Sequence, residues 1–329
     1  MRGVERAVRP AGGLAASWPD AVGLLGGFAL DAVLGDPRSW HPVAGFGWAA
    51  AALEKPLYAH RRRAGAAFAA VAVGAPAAAG ASLAILTRRR PVARAVLTAA
   101  ATWTVLGGRS LRREAGVMAA ALERGDVPAA RARLHHLCGR DPSALDQPEL
   151  ARATVESVAE NTSDAVVAPL FWGAVAGLPG LLGYRAANTL DGMVGHRSPR
   201  YARFGTPAAR LDDLLNLAPS RLTALLTVAV SPLVGGRPAQ AWRVWRRDRA
   251  DHPSPNAGQC ESAAAGALGV RLGGRNVYSG RSEVRPLMGD GPRPDAGHIR
   301  RAARLCGAVG LAAAALATLA AVARGAATR

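Results

Sequence analysis

The feature that most constrains this chain is a set of long segments without charge. Residues 64–87 hold no charged side chain over twenty-four positions, and a helix of that length, rising about 1.5 Å per residue, can cross roughly 30 Å of hydrocarbon. Residues 165–184 and 305–323 are uncharged over twenty and nineteen positions. Pro169 and Pro179 are expected to kink or break the former. We predict three membrane-crossing helices.

Weaker candidates are shorter or interrupted by a charge or a proline, and each fits a buried or re-entrant helix equally well: 21–34, 92–108 and 222–236. Alanine-rich spans gain little energy from insertion, which leaves a large soluble helical protein as the alternative. We predict an all-α, multi-pass protein of the cell (inner) membrane. Residues 1–18 are expected to form a mobile tail and 19–329 a single helical domain, with most polar motifs between about 150 and 290.

The net charge of +18 comes almost entirely from arginine, because Lys55 is the only lysine. A G-x-x-x-x-G-K-[ST] phosphate loop is therefore excluded. Arginine triplets at 61–63 and 88–90 flank the clearest span on both sides. This position is typical of anchoring at a lipid interface, although it leaves the orientation undecided. We expect membrane lipid, and no nucleic acid, as a partner.

The most informative polar stretch is T-V-E-S-V-A-E-N-T-S-D. On a helix, Glu156, Glu160 and Asp164 fall within an arc of about 80°. Like charges four residues apart destabilise a helix, so this face is expected to meet a cation, either Mg²⁺ or arginine. A solvated acidic face is the alternative.

A second stretch, Y-R-A-A-N-T-L-D-G-M-V-G-H-R, follows the apolar run. Arg185, Asn188, Asp191 and His196 supply a guanidinium, an amide, a carboxylate and an imidazole within about three helical turns. Hard oxygen ligands of this kind suit Mg²⁺ bridging phosphates better than zinc. Helix capping by Asn188 or Asp191 is the alternative.

A third stretch, A-A-R-L-D-D-L-L-N-L-A-P-S-R, resembles a helix motif that binds a metal and a diphosphate. Asp212 and Asn216 point the same way beside Asp213, and Arg210 and Arg221 lie on either side. Arginine can hold phosphate oxygens bidentately. By itself this pattern is weak, since many amphipathic helices contain it.

A fourth stretch, H-P-S-P-N-A-G-Q-C-E, predicts an irregular loop followed by a small-residue helix. Such a helix N-terminus favours anions, and Asn256 and Glu261 lie near it. Ordinary loop chemistry is the alternative. Near the N-terminus, Asp31, Asp36 and His41 surround a proline-bounded turn.

Together, E-S-V-A-E-N-T-S-D, N-T-L-D-G-M-V-G, F-G-T-P-A-A-R-L-D-D and S-P-N-A-G resemble, in this order, the adenosylcobinamide-phosphate synthase family of cobalamin biosynthesis. The resemblance covers roughly residues 20–290. It implies a multi-pass membrane ligase that joins adenosylcobyric acid to an aminopropanol (or ethanolamine) phosphate through an amide bond, with ATP consumed. Gln259 and Cys260 stand where the family usually has Trp-Pro, and Gly192 where Ser is commoner.

Such a ligase needs Mg²⁺ with ATP as co-substrate, cations for the phosphates and a base for the ammonium. We expect His196 or Glu261 as the base. The other expected site residues are, for metal binding, Glu156, Glu160, Asp164, Asp191, Asp212 and Asp213, and for phosphate or substrate, Arg185, Asn188, Arg210, Arg221 and Asn256. Adenosylcorrinoid, amino-alcohol phosphate and other enzymes of the pathway are the expected partners.

Two alternatives stay open. A membrane phosphotransferase or prenyl-type transferase would use the same aspartate-rich helices for a metal-diphosphate complex. A corrinoid transporter or scaffold would use them without catalysis.

Overall fold

A computed structural model describes residues 18–37, 41–196, 198–278 and 281–327. The predicted mobile tail, apart from its last residue, lies outside these ranges. The described residues form thirteen α-helices and one β-hairpin. The helices are α1 Trp18–Leu34, α2 Pro42–Leu57, α3 Arg62–Leu86, α4 Pro91–Val105, α5 Gly108–Glu123, α6 Val127–Arg133, α7 Gln147–Thr162, α8 Ala168–Leu190, α9 Tyr201–Phe204, α10 Thr206–Val230, α11 Pro238–Asp248, α12 Ala257–Leu268 and α13 Ala296–Ala327.

Four helical segments are long and apolar enough to cross a membrane: Arg62–Leu86, Gln147–Gly195, Thr206–Val234 and Ala296–Arg324. Each of the three predicted spans lies in one of them, except for Thr87 at the end of the first. The weaker candidate 222–236 falls largely in the third. The candidates 21–34 and 92–108 correspond to α1 and α4, which have 17 and 15 residues. The all-α, multi-pass fold class is confirmed.

The predicted span 165–184 is helical but does not run straight. Gly177 adopts φ 67° and ψ −147° inside α8, a conformation open mainly to glycine. As a result the Tyr184 hydroxyl lies 3.3 Å from the carbonyl oxygen of Asp164 and donates to it. A straight helix would separate these two residues by about 30 Å. The segment is therefore a helical hairpin whose tip is Gly177, and this corrects the expectation of a single crossing.

The tip of this hairpin lies beside a buried ion cluster. Asp20 accepts from Arg94 at 2.7 Å and from Arg324 at 2.5 Å. A Cβ added to Gly177 would lie 3.6 Å from Asp20 and from Arg324. The start of α1, the start of α4 and the end of α13 thus meet at one end of the bundle, which we call the tip end.

Small residues allow α1 and α4 to pack closely. A Cβ at Gly23 would lie 2.4 Å from the Cβ of Thr98, and one at Gly27 would lie 2.4 Å from the Cβ of Thr102. Helices in membranes associate through such close contacts because lipid supplies no hydrophobic drive between them.

A two-stranded antiparallel hairpin, β1 Leu272–Tyr278 and β2 Arg281–Met288, was not predicted. It packs on α7, where the Arg152 guanidinium donates to Asn276 Oδ1 at 3.0 Å and to the Arg275 carbonyl oxygen at 2.9 Å. The main apolar core lies between α5, α7, α8 and α13, with Met118, Leu150 and Leu170 fully buried.

Candidate functional site

A small cavity of about 100 Å³ collects acidic side chains from distant parts of the chain. Its five carboxylates are Glu160, Asp164, Asp191, Asp212 and Asp213. Amide, hydroxyl and thiol groups complete the lining, namely Asn216, Asn256, Ser163, Ser220, Ser254 and Cys260. All five of these acidic residues were expected to bind metal, and the fold brings them together.

Two of the carboxylates lie in π-helical turns. Asp164 is in Ser163–Val167, and Asp191 begins Asp191–Gly195. Such wide turns are rare and frequently mark functional sites, because they change the direction in which side chains point. The two residues lie thirteen positions before and fourteen positions after Gly177. The hairpin therefore places them side by side at the end opposite its tip, which we call the cavity end.

Asp212 is held by two amides. The Asn188 side chain donates to Oδ1 at 3.2 Å, and the Asn216 side chain donates to Oδ2 at 3.0 Å. The Tyr184 hydroxyl in turn donates to Asn216 Oδ1 at 2.9 Å. A chain of hydrogen bonds from the second arm of the hairpin and from α10 thus orients this carboxylate.

Asn256 links the loop before α12 to α10. Its side-chain amide donates to the Asp213 carbonyl oxygen at 2.8 Å, and its Oδ1 accepts from Ser220 Oγ at 3.1 Å. The amide also lies 3.4 Å from Asp213 Oδ1. Asn256, expected to bind substrate, is thus also placed to fix the backbone that carries Asp213.

The donor set of the cavity fits a hard divalent cation. Carboxylate and amide oxygens are the ligands that Mg²⁺ takes, and five acidic groups around one small volume leave an excess of negative charge. Across the described ranges, no group of three or more His, Cys, Asp or Glu side chains has metal-binding geometry as it stands. The types of oxygen ligand in the cavity therefore fit the ion, although their positions do not yet form a coordination shell.

Glu156 lies apart from the cavity although it shares the helix face of Glu160. It is 1% exposed and forms salt bridges with Arg140 and, at 3.2 Å, with Arg152. It also accepts from the backbone N–H of Gly273 at 2.7 Å. Its position on the helix predicted contact with either Mg²⁺ or arginine, and the structure has arginine. Glu156 also connects α7 to the β-hairpin through its bond to Gly273.

An open cleft of about 620 Å³ adjoins the cavity, and Asp213 lines both. The cleft presents the side chains of Arg62, His196 and Arg210, with the hydroxyls of Ser198 and Thr206. The His196 ring packs edge-on against Tyr201 at 5.0 Å between centroids. Two of the expected site residues, His196 and Arg210, therefore lie together beside the acidic cavity.

Three residues expected to bind phosphate or substrate line neither space, namely Asn188, whose amide holds Asp212, and two arginines. Arg221 is exposed and its guanidinium donates to the Leu217 carbonyl oxygen at 2.7 Å. Arg185 is partly buried on the second arm of the hairpin. Neither belongs to the lining of the cavity or the cleft.

Glu261 is enclosed behind the cavity lining. It is 1% exposed, and neither carboxylate oxygen has a hydrogen-bond partner among the described residues. His252 Nε2 and Arg285 Nη1 each lie 3.9 Å from Oε1. Burial, and then the nearby charges of Glu156 and Glu160, raise the pKa of Glu261 well above 4.5. Burial, and then Arg285, lower the pKa of His252.

Sequence reasoning missed several residues of the site. Tyr184 is the first residue of the second stretch, and this position was the available signal, but its hydroxyl was given no role. No sequence signal pointed to Arg62, because it lies far along the chain from His196 and Arg210 and meets them only through the packing of α3. His252, read from sequence as a loop residue, is buried beside Glu261.

Comparison with known proteins gives a consistent result. A family model described as CobD/Cbib protein matches residues 24–306. A protein named Cobalamin biosynthesis protein CobD from Mycobacterium tuberculosis is 53% identical over 93% of this chain and 97% of the relative. Proteins of the same name from Geobacter metallireducens and Chromobacterium violaceum are 47% and 43% identical, over 80% and 84% of this chain and 85% and 88% of each relative. No solved structure matches the chain.

Proposed function

This chain belongs to the CobD/Cbib protein family, and we propose that it forms the amide bond of adenosylcobinamide phosphate in cobalamin biosynthesis. The reaction would join the free carboxylate of adenosylcobyric acid to the amine of aminopropanol phosphate, or of ethanolamine phosphate, with ATP consumed. One observation carries the proposal. A cavity with five carboxylates opens beside a cleft with two arginines and an imidazole.

The chemistry explains why both spaces are needed. A carboxylate does not react with an amine at neutral pH until it is activated. Transfer of the terminal phosphoryl group of ATP to the carboxylate would give an acyl phosphate and ADP. Attack by the amine on the acyl carbon would then form the C–N bond and release inorganic phosphate, and the ammonium proton would pass to a base.

The acidic cavity is the proposed site for Mg²⁺. Glu160, Asp164, Asp191 and Asp213 would supply oxygen ligands, and Asp212, held in place by its two amides, would add negative charge beside the ion. Mg²⁺ would neutralise charge on the ATP phosphates and keep several of its waters, which suits a site without a preformed cage. Hydrogen bonds from Asn188, Asn216 and Asn256 would fix the segments whose carboxylates face the phosphates.

The cleft is the proposed site for the amino-alcohol phosphate. Arg62 and Arg210 face it without a salt bridge to any described residue, so their guanidinium groups can hold a phosphate bidentately. Of the two candidate bases, His196 lines the cleft and Glu261 is enclosed. We therefore assign proton removal from the ammonium to His196, and a supporting role behind the cavity to Glu261.

The setting of this reaction is the inner membrane. The apolar helical segments support membrane lipid as a partner of the chain. We also propose other enzymes of cobalamin biosynthesis as partners.

Product analysis tests the function. Detergent-purified protein is incubated with adenosylcobyric acid, aminopropanol phosphate and Mg-ATP. We expect one amide, one ADP and one inorganic phosphate per turnover. Release of diphosphate would instead support a prenyl-type transferase. Uptake of corrinoid into vesicles without any new amide would support a transporter.

A further inference from the structure

A second open groove lies on a part of the surface that shares no residue with the cavity or the cleft. It measures about 700 Å³ and is formed by α1, α5 and α13. Five of its lining residues are arginines and the rest are alanine or glycine. The arginines are Arg109, Arg112, Arg113, Arg300 and Arg304.

The positive charge of this groove is only partly balanced. The Arg300 guanidinium pairs with Glu123 at 2.5 Å, and that of Arg109 donates to the Ala32 carbonyl oxygen at 2.7 Å. Arg112, Arg113 and Arg304 are exposed and form no hydrogen bond or salt bridge with any residue that the structure describes, and of these only Arg112 interacts electrostatically with Asp31. The groove therefore offers two uncompensated guanidinium groups to an anion.

The groove lies where apolar surface meets water. Arg304 directly precedes the uncharged stretch of α13, and Leu311 further along that helix is 62% exposed. On α1, about two turns from Ala32 toward the tip end, Leu25 is 47% exposed. Basic groups above an exposed apolar surface are the arrangement that receives lipid headgroups at a membrane boundary.

We propose that this groove binds an anionic phospholipid. Arg113 and Arg304 hold the phosphodiester headgroup, and the acyl chains lie on the exposed apolar surface of α1 and α13. A soluble phosphate would use the arginines alone and would leave the exposed Leu25 and Leu311 without a role.

The test is lipid retention by the full chain. Native mass spectrometry compares phosphatidylglycerol with phosphatidylcholine on the wild type and on the double variant Arg113→Gln/Arg304→Gln. The matched control, Arg243→Gln/Arg293→Gln, removes equal charge from two exposed positions that line neither the groove, the cavity nor the cleft. We expect the wild type to prefer phosphatidylglycerol, the groove variant to bind it at least about tenfold more weakly, and the control to bind as the wild type does.

Three outcomes would overturn the proposal. The groove variant binds phosphatidylglycerol as tightly as the wild type, the control loses it equally, or inorganic phosphate alone competes as well as the lipid does. A conservative Arg113→Lys/Arg304→Lys variant should recover binding in part, which separates loss of charge from misfolding. Amide synthesis in detergent should not change in the groove variant, so failure of the lipid proposal is distinct from failure of the proposed reaction.

Discussion

Among the five carboxylates of the cavity, Asp212 is held most firmly, since the side-chain amides of Asn188 and Asn216 donate to its two oxygens. Glu160, one helix away, faces the same cavity with fewer constraints. Both carboxylates would balance the charge of the cation that binds the phosphates. Loss of either carboxylate charge should therefore remove much of the electrostatic stabilisation of the transition state.

We therefore predict that Asp212→Asn and Glu160→Gln each lower turnover at least about 100-fold, the order of loss typical of a removed electrostatic contact. Both variants should still be expressed and inserted. The measurement is amide formation by purified protein, with Asp251→Asn, an exposed loop position, as the matched control. Full turnover by both cavity variants would disprove the metal-site hypothesis.

Glu261 gives a prediction about pH. Its folded-state pKa is raised above 4.5 by burial, so the folded state disfavours ionisation. The stability associated with this group is fully present below the unfolded pKa, near 4.5, and is lost as the pH rises through the folded value. Replacing it by Gln removes the cost of ionisation while keeping the shape.

We expect Glu261→Gln to melt at a higher temperature than the wild type at pH 8, with the difference shrinking as the pH falls toward 5. Thermal denaturation in detergent across this range measures it. The exposed Asp251→Asn variant should show no such trend. A constant difference, or one that grows toward low pH, would contradict the buried position of Glu261.

For single residues, the sequence predicted which side chains carry chemistry, but it did not predict all of the residues that these side chains contact. Glu160 and Asp164 could be assigned to one face from helical periodicity alone. Glu156 shares that face, but it forms an ion pair with Arg140, sixteen residues earlier, and accepts a backbone hydrogen bond from Gly273, more than a hundred residues later. Side chains so far apart in the chain meet only through packing, which periodicity does not record.

Among the elements, the helical hairpin centred on Gly177 determines the site, because it brings Asp164 and Asp191 together. Hydropathy averages a window of residues and therefore cannot detect a single positive φ. Pro179 predicted a kink, and the structure has a full reversal instead. The π-turns at Asp164 and Asp191 were also invisible, since a π-turn depends on which backbone bonds form rather than on side-chain type.

We predict that Gly177→Ala destabilises the protein by about 1–3 kcal/mol, because a side chain strains this backbone conformation. Space is not the cause, since the nearest atoms would lie 3.6 Å from the new Cβ. The control is Gly74→Ala in α3, where a Cβ meets nothing within 4 Å and the backbone is helical. Equal melting temperatures for the two variants would show that the reversal at Gly177 does not form.

In the whole molecule, the arginine-rich segments lie at two opposite ends, the cavity end and the tip end. The sequence alone left the orientation of the protein in the membrane undecided. Residues 61–63 and the arginine groove lie at the cavity end, because Arg62 lines the cleft, and Gly108 beside the groove packs against Val166. The tip end has 88–90 and the pair that binds Asp20. An excess of arginine marks the cytoplasmic side of a membrane protein.

We accordingly expect the cavity to face the cytoplasm, where ATP is available. The measurement is labelling by a membrane-impermeant maleimide in intact cells, in a Cys138→Ser background that leaves two buried cysteines. Arg89→Cys at the tip end should react at once, and Ser143→Cys, exposed before α7, only after lysis. The opposite pattern would reverse the proposed orientation.

The convergence of carboxylates on one divalent ion is the claim on which the proposed reaction depends, and binding of Mn²⁺ followed by electron paramagnetic resonance tests it most directly. We predict one Mn²⁺ per purified chain, displaced by Mg²⁺, with binding weakened at least about tenfold by each of Asp164→Asn, Asp191→Asn and Asp213→Asn and unchanged in Glu123→Gln, which lies outside the cavity. Undiminished binding in all three cavity variants would contradict a shared cation site in this cavity.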